Sequence, residues 1–540
     1  MDYLMLFAAS VAGVTSHLAY FKFGEHHMYG PRYVLAAILA FSLSVIAQSR
    51  LFQFPNQVAA LKTLALAASY LSGLFFSLII FRVLFHPLRR FPGPLGFKVS
   101  SAWFATRLTG RDAFRQLLKL HEKHGDFVRI GSNDLSITHP KAVQAIYGPG
   151  SKCFKTEWYD LTSPMVSLHT TRDDALHSKR RRLWSTAFGD KNLRDYEERI
   201  ARYRALLVKA IEDSDDRAID ICKWFRLYNF DVMGDLAFGD SFEMLKASKE
   251  HFAVRLLNSG LDPLSFKLPV WLFRLLVAIP GATKDWWGFI QYCTSQLDKR
   301  MHVKVEIKDI MGSLLKPLNG QSPTGLDRAL LEGDAQLIVV AGGDTSAISL
   351  ATIFRYLAQY PHHVARLRAE IDPLPRTEAG DYGHSDLLNL KHLNGVINEA
   401  LRLFPPTPTS LPRLTPPEGL DIDGTFIPGN TSVISPQYVI GRSSEAYSSP
   451  NEFIPERWYS QPELIRDKSC FAPFSAGSYG CIGRPLALLN IRATVSRIIA
   501  DYDIRSTPAE SLLAYDEGLT EHFTFALPEF KLSFAKRPKP

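Results

Sequence analysis

The sequence predicts a mainly α-helical fold with small β-sheets, preceded by N-terminal transmembrane helices. Three observations support this prediction. Apolar residues recur at helical spacing over most of the chain after residue 95, strand-like alternation is confined to short stretches, and three apolar segments come before residue 86. The 540 residues, with 46% hydrophobic and 21% charged side chains, suit one large core with an appendage.

Residues 1–85 are expected to form a membrane anchor with up to three transmembrane helices. The apolar segments run over about residues 3–20, 33–48 and 63–85. The third is long enough to cross a bilayer, the first is close to the lower limit, and the second is shorter. In the alternative, only residues 63–85 cross, and the earlier segments lie in the interface or are buried. The first segment lacks a basic leading region, which argues against a cleaved signal peptide.

Basic residues orient the anchor. If all three segments cross, five basic residues share the side of the large domain and two fall on the other side. The five are Lys22, Arg32, Arg82, Arg89 and Arg90, and the two are Arg50 and Lys62. Positive charge favours the cytosolic side, so we expect the large domain in the cytosol. Residues 86–94, rich in Pro and Gly, should form a stiff hinge before the domain at 95–540.

Short elements then follow in order. Helical spacing is found at 112–124, 141–147, 193–213, 221–236, 286–307 and 326–360. Strand-like alternation is found at 127–131, 134–138, 420–427 and 431–434. The stretch 326–360 is predicted as one very long helix that ends at Pro361.

Charge and cysteine content exclude several classes of protein. The chain has a net charge of +8 but no long run of basic residues, so nucleic-acid binding is not expected. An acidic protein partner or an anionic membrane surface would suit this charge. The cysteines are odd in number and scattered without a CxxC pair, which argues against a disulfide framework or a zinc site and for a reducing compartment. They are Cys153, Cys222, Cys293, Cys470 and Cys481.

A Gly-rich loop ends at Cys481 and continues into an apolar helix. Free backbone N–H groups and the helix dipole at this position favour thiolate over thiol. Gly477 and Gly483 carry no side chain, so a flat, bulky group could lie against the backbone, and Phe474 could shield the sulfur. These are the parts of a site in which a thiolate binds haem iron. The alternative is a buried structural cysteine in a Gly-rich turn.

The loop resembles the haem-binding signature of the cytochrome P450 family, Phe-x-x-Gly-x-Arg-x-Cys-x-Gly. It matches at Phe474, Gly477, Cys481 and Gly483 and departs at Tyr479, where the family usually has Arg or His. The resemblance extends from the hinge to Pro540. It implies a cytochrome P450 fold and a haem-thiolate monooxygenase domain, with haem (iron protoporphyrin IX) bound through an axial Cys481 thiolate.

The middle of the long helix carries two adjacent glycines, Gly342 and Gly343, followed by Asp344 and Thr345. Each glycine costs a helix about 1 kcal/mol relative to alanine, so a packing reason is expected. Close approach of a neighbouring helix is one such reason. The stretch also resembles the family's Ala-Gly-x-Asp/Glu-Thr motif. That resemblance implies glycines that leave room for dioxygen, and a Thr345 hydroxyl and Asp344 carboxylate that deliver protons.

Haem carries two propionate carboxylates, which need cationic or hydrogen-bonding partners. Arg181 stands where the family has the Arg of a Trp-x-x-x-Arg pattern, with His177 in the place of the Trp. Arg413 matches an Arg that often reaches a propionate in the family. Tyr479 can donate one hydrogen bond but cannot balance charge. The alternative for the basic cluster at 177–184 is a solvated helix face.

Glu399 and Arg402 lie three residues apart on a predicted helix, and Arg457 belongs to a Pro-Glu-Arg-Trp sequence that resembles the family's Pro-Glu-Arg-Phe motif. The resemblance implies that the three form a buried triad behind the haem. They are therefore predicted to be structural residues, not catalysts.

The resemblance implies that one oxygen atom from O2 is inserted into a lipophilic small molecule, as in fungal secondary metabolism with terpenoid or alkaloid substrates. No Gly-rich flavin or dinucleotide motif follows a strand, so electrons should come from a separate NADPH-cytochrome P450 reductase. Membrane lipid is the other expected partner, and the endoplasmic reticulum, with the catalytic domain facing the cytosol, is the expected location. The pocket walls should come from residues 158–165, 236–264, 407–411 and 519–523.

Two other functions remain open from the residues. A P450-fold isomerase or dehydratase rearranges peroxides without a reductase, but such enzymes tend to lose the acid-alcohol pair that this chain keeps at Asp344 and Thr345. A non-enzymatic haem carrier or sensor would have no use for that pair.

Overall fold

The computed structural model describes residues 3–303, 308–318, 320–506 and 511–538. Helices dominate these residues and the β-sheets are small, which confirms the predicted fold class. The helix predicted at 286–307 is observed over Lys284–His302, and residues 304–307 of that prediction lie outside the described residues.

Three helices precede the large domain: α1 (Tyr3–Ser16), α2 (Gly30–Leu51) and α3 (Asn56–Ile80). With their flanking turns, each is long and apolar enough to cross a membrane. α3 begins seven residues before the apolar segment predicted at 63–85. Pro55 at its N-cap starts the helix there, and polar side chains are tolerated in its first turns.

Small residues let α1 and α3 pack closely. A Cβ atom on Gly13 would clash with the carbonyl oxygen of Tyr70, and one on Gly73 would clash with the carbonyl oxygen of Ser10. The two backbones therefore touch where both helices lack a side chain. Contacts of this kind are typical of helices that associate within lipid.

The loop between α1 and α2 reaches the large domain. His27 is buried there, with its Nε2 2.9 Å from a carboxylate oxygen of Asp160. Arg172 donates to both oxygens of the Glu25 carboxylate, at 2.5 and 2.7 Å, and to Asp160 at 2.7 Å. This charged cluster joins the anchor to the segment that carries residues 157–160.

The large domain contains the remaining helices, several of them a single turn long. The first group is α4 (Leu95–Val99), α5 (Ala102–Ala105), α6 (Ala113–His124), α7 (Ala142–Tyr147), α8 (Asp174–Ala187), α9 (Asp190–Glu212), α10 (Ile221–Phe238), α11 (Met244–Ala247), α12 (Phe252–Leu261) and α13 (Val270–Val277). The second group is α14 (Lys284–His302), α15 (Ile310–Leu315), α16 (Gly325–Gln359), α17 (Pro361–Ile371), α18 (His384–Leu387), α19 (Lys391–Leu403), α20 (Gln437–Ile440), α21 (Arg484–Asp501) and α22 (Ser511–Gly518).

The strands are short. They are β1 (Phe127–Arg129), β2 (Asp134–Ile137), β3 (Phe154–Lys155), β4 (Ile219–Asp220), β5 (Arg413–Leu414), β6 (Leu420–Ile422), β7 (Thr425–Ile427), β8 (Ser432–Ile434), β9 (Tyr502–Ser506), β10 (Thr520–Glu521), β11 (Phe525–Ala526) and β12 (Lys531–Lys536). The largest sheet has the order β1-β2-β8-β5-β3, and a second has the order β4-β12-β9. Asp423 and Gly424 both have positive φ in the two-residue turn of the β6–β7 hairpin, as a type I′ turn requires.

The 35-residue helix α16 runs through the centre of the domain. Most of its side chains are buried, because it is apolar on nearly all sides and packs against α10, α14, α19 and α21. It ends before Pro361, which cannot continue the hydrogen-bond ladder and becomes the first residue of α17.

Candidate active site

The loop before α21 is closed by its own backbone. The N–H of Cys481 donates to the carbonyl oxygen of Phe474 at 2.7 Å. Gly477 has a φ of 60°, and a Cβ atom there would lie 2.5 Å from the carbonyl oxygen of Tyr147. Glycine is therefore required at residue 477, because it alone combines this backbone conformation with so close an approach to α7.

Cys481 lies two residues before Gly483, the N-cap of α21. Cys481 is open to the cavity, but the surrounding protein desolvates its thiol and raises the pKa, whereas the N–H groups of Gly483 and Arg484 and the guanidinium of Arg181 act to lower it. Without a further positive charge, burial outweighs the helix N-terminus. A metal ion bonded to the sulfur would reverse this balance, because it stabilises the thiolate.

Cys481 lines a cavity of about 400 Å³ that also reaches residues 341–345 of α16. Most of the lining is apolar. The rings of Trp158 and Phe523 stack within it at 5.6 Å between centroids. Each of the four segments predicted as pocket walls contributes to the lining.

The two glycines of α16 lie against α10. A Cβ atom on Gly342 would lie 2.5 Å from the side chain of Met233, and one on Gly343 would lie 2.8 Å from the ring of Phe230. Their missing side chains thus allow the close helix packing that the sequence left open as one explanation. Gly342 also lines the cavity, so a role toward dioxygen stays a prediction for that residue.

Asp344 and Thr345 differ in what they contact. The Thr345 hydroxyl donates to the carbonyl oxygen of Ala341 at 2.7 Å, one turn back in the helix. The carboxylate of Asp344 accepts a hydrogen bond from the Thr524 hydroxyl at 2.8 Å. Sequence reasoning missed Thr524, because it lies 180 residues from Asp344 and belongs to no local motif.

Two arginines predicted to bind propionates lie at one end of the cavity. Arg181 donates to the carbonyl oxygen of Gly480 at 2.7 Å, which places its guanidinium beside the cysteine loop. Arg413 is buried, bonds to the hydroxyl of Tyr159, and keeps its Nε without a partner among the described residues. An unpaired buried guanidinium N–H is costly, so this site suits an anionic ligand.

Lys155 adds a third basic group that the sequence did not indicate. Its Nζ donates to the carbonyl oxygens of Leu168, His169 and Thr171 at 3.1, 2.7 and 2.8 Å. Burial, together with the positive charge of the neighbouring Arg413, lowers the pKa of Lys155 to about 7. Burial also lowers the pKa of the nearby His169 to about 3, so this ring is neutral.

Tyr479 stands where the family has a cation, and its hydroxyl donates to the carboxylate of Asp174 on α8. Burial and this hydrogen bond both raise the pKa of the phenol. The Arg413 guanidinium lies 4.8 Å from the centroid of the Tyr479 ring. Tyr479 thus supports the neighbouring arginine with its ring, while its hydroxyl is held by Asp174.

Glu399, Arg402 and Arg457 form a fully buried triad. Arg402 makes two hydrogen bonds to the Glu399 carboxylate, at 2.7 and 2.9 Å, and Arg457 makes one at 2.8 Å. The indole N–H of Trp458 and the backbone N–H of Ile454 complete the shell around Glu399, at 2.9 and 3.0 Å. Every charge here is paired, as burial demands.

Comparison with known proteins decides the family. The family model described as Cytochrome P450 matches residues 91–534. The chain belongs to the cytochrome P450 family. The match includes the cysteine loop, the acid-alcohol pair and the triad, so these three sites lie within the part of the chain that the family shares.

Several fungal P450 enzymes are similar to this one over nearly their whole length. The cytochrome P450 monooxygenase notG' of Aspergillus versicolor is 44% identical, over 99% of this chain and 98% of that protein. The tryprostatin B 6-hydroxylases of Aspergillus fumigatus and Neosartorya fischeri are both 45% identical, over 98% of this chain and 96% and 98% of those proteins. This P450 is accordingly a monooxygenase, which decides against the isomerase and the haem carrier.

The residues present fit the haem that the P450 family implies. Three features occur together: the Cys481 sulfur needs a positive partner, the buried Arg413 has an N–H without a partner among the described residues, and the cavity is mainly apolar. A Cβ atom on Gly483 would make only ordinary contacts with the protein, at 3.9 Å or more. The open space at this glycine is therefore available to a flat group. P450 monooxygenases also use a redox partner and a small-molecule substrate, and the N-terminal apolar helices could anchor this one to a membrane.

Proposed function

We propose that this P450 hydroxylates a lipophilic small molecule of fungal secondary metabolism, with tryprostatin B as the first substrate to test. The observation that carries the proposal is the apolar cavity that joins Cys481 to Asp344 and Thr345. The balanced reaction is R–H + O2 + NADPH + H⁺ giving R–OH + H2O + NADP⁺. The names of the relatives support a hydroxylation.

Cys481 would bind haem through its sulfur, Arg181 and Arg413 would pair with the propionates, and Gly483 would leave room for the ring. When bound, a haem with a thiolate ligand supplies the activation of dioxygen. Phe474, whose carbonyl oxygen closes the loop, would limit access of water to the sulfur. Tyr479 acts through Arg413 by packing its ring against the guanidinium, whereas Lys155 ties together the carbonyl groups of residues 168, 169 and 171 beside it.

Asp344 and Thr345 are proposed to bring protons to the cavity. The Thr345 hydroxyl gives its own proton to the carbonyl of Ala341, so its oxygen lone pairs remain free to accept a proton donor from the cavity side. Asp344 would pass protons inward, with its carboxylate oriented by Thr524. Thr524 is thus a positioning residue for this step.

Electrons and substrate would reach the domain at the surface of the endoplasmic reticulum. We assign residues 1–85 to the anchor, 86–94 to the hinge and 95–540 to the haem-thiolate domain. The excess of basic residues next to the domain favours a cytosolic orientation, in which NADPH-cytochrome P450 reductase can reach it. A mild net charge of +8 suits an acidic redox partner.

The cavity favours a flat aromatic substrate. Trp158 and Phe523 offer aromatic rings, and polar groups such as those of Gln336 and Ser346 make up a small part of the lining surface. Such a wall binds an aromatic ring by apolar contact, and the sparse polar groups decide its orientation.

The experiment combines the full-length protein with NADPH-cytochrome P450 reductase in lipid vesicles. Tryprostatin B and a panel of other lipophilic indoles are added with NADPH, and products one oxygen atom heavier are measured by mass spectrometry. The Cys481→Ser variant is the control and should yield no product. Product that forms equally without reductase, or equally in Cys481→Ser, would contradict a monooxygenase that acts through Cys481. Failure with tryprostatin B alone would overturn only the substrate.

A further inference from the structure

Two buried histidines and a glutamate meet where α17, α19 and the turn at Pro455–Trp458 come together, outside the lining of the cavity. His363 lies on α17, His392 on α19, and Glu456 in the short turn that also carries Arg457. One ligand atom from each of the three lies within 4.8 Å of the others. None of the three lines the cavity.

The geometry points to a zinc site formed by His363 Nδ1, His392 Nε2 and a carboxylate oxygen of Glu456. Two imidazoles and one carboxylate are a donor set that zinc prefers, with a fourth position left open. The three residues are far apart in the sequence, so no spacing pattern indicates them. The scattered cysteines argue against a zinc site built on thiolates and carry no information about this one.

The two ring nitrogens assigned to the site, His363 Nδ1 and His392 Nε2, lack a hydrogen-bond partner among the described residues. The exposed fractions of His363 and His392 are 3% each, so bulk water does not satisfy them. His363 Nδ1 lies 3.8 Å from the Glu456 carboxylate, too far for a hydrogen bond. A buried polar atom without a partner is unfavourable, and a cation between the three groups would pair with all of them.

One of the two histidines already has a hydrogen-bond partner on its other ring nitrogen. His392 Nδ1 lies 3.0 Å from the hydroxyl of Tyr459. If Nδ1 carries the proton and donates it to this oxygen, Nε2 is left as the ligand. An outer partner of this kind is usual for a zinc-bound histidine.

Arg366 is the competitor for the site. It lies one turn after His363 on α17 and bonds to the same carboxylate oxygen of Glu456 that faces His363. Its side chain is 55% exposed, so it can turn into solvent without losing packing. Zinc and Arg366 would therefore exclude one another at Glu456.

A bound zinc ion would tie α17 and α19 to the turn beside the Glu399 triad. It would stabilise the packing of these three elements without touching the cavity. This inference does not depend on which substrate the enzyme oxidises.

The test uses full-length haem-loaded protein without a polyhistidine tag, stripped with EDTA and titrated with Zn²⁺ against a fluorescent zinc chelator. We expect one zinc ion per chain, with affinity at least about tenfold weaker in His363→Asn and in Glu456→Gln. His362→Asn, at the exposed neighbouring histidine, is the matched control and should bind as the wild type does. Arg366→Ala should bind zinc more tightly, because the competing cation is gone.

The direction of the Arg366→Ala effect separates a metal site from a merely structural cluster. If the ion pair between Arg366 and Glu456 only stabilises the fold, Arg366→Ala should leave the zinc affinity unchanged or lower it. Wild-type protein that binds no zinc, or that binds it equally in all variants, would overturn the inference. If His363→Asn does not fold, as judged by its haem spectrum, the opposite shifts expected in Glu456→Gln and Arg366→Ala decide the matter.

Discussion

Arg413 should matter more for haem retention than Tyr479, although Tyr479 occupies the position of the family's cation. Arg413 is buried with its Nε unpaired, so it can give both charge and a hydrogen bond to a propionate. The Tyr479 hydroxyl is already bonded to Asp174 and faces that carboxylate. Arg413→Ala removes the cation, whereas Tyr479→Phe keeps the ring that packs against it.

The losses of haem affinity expected for Arg413→Ala and Tyr479→Phe differ by more than the error of the measurement. A hydrogen bond to a charged group contributes about 1.5–3 kcal/mol, which corresponds to about 10- to 150-fold in the haem dissociation constant for Arg413→Ala. Tyr479→Phe loses no contact with the cofactor, and a change below about threefold is expected. Tyr479→Arg should retain haem, because Asp174 is in place to pair with the new guanidinium.

The loss of haem is measured by its transfer to apomyoglobin in mild urea. The rate of the accompanying spectral change is recorded for each purified variant. Arg413→Lys separates charge from packing, since it keeps the cation and should lose less haem than Arg413→Ala. Arg182→Ala removes an exposed arginine next to Arg181 and should behave as the wild type. If Tyr479→Phe loses haem faster than Arg413→Ala does, the phenol is the main anchor and this account of the propionates is wrong.

Three further outcomes are expected. Glu399→Gln should destabilise the protein by about 3–5 kcal/mol, because it leaves two buried arginines without their carboxylate. Thermal unfolding measures this loss of stability, with the exposed Glu452→Gln as control. An unchanged Tm would contradict the structural role of the triad. Thr345→Ala should still bind haem but spend more NADPH on reducing O2 to hydrogen peroxide, and Thr524→Val should show the same effect to a lesser degree. If the ratio of product to NADPH is unchanged in both variants, these residues do not deliver protons. A tag at the N-terminus should be protected from protease in sealed microsomes and a C-terminal tag digested, whereas digestion of both tags would mean an even number of crossings.

Much of the fold could be predicted because it depends on local sequence. The spacing of apolar residues predicts the bounds of α6, α9, α10 and α16 to within a few residues of those observed. Helix α16 ends before Pro361, as predicted. The anchor helices were predicted with less accurate ends. Polar residues such as Asn56 and Gln57 at the start of α3 carry no apolar signal, although the helix already begins there.

The sequence by itself indicated the candidate residues: Cys481 in its Gly-rich loop and the Asp344–Thr345 pair for the chemistry, and the Glu399 triad for the fold. Each occupies a short motif, and a motif is visible without knowledge of the fold. The tertiary structure alone decided what these residues contact. Thr524 reaches Asp344, Asp174 takes the hydroxyl of Tyr479, and His363, His392 and Glu456 converge, each across long stretches of chain. Such partners leave no local pattern, because hydrogen bonds and ion pairs depend on distance in space and not on distance along the chain.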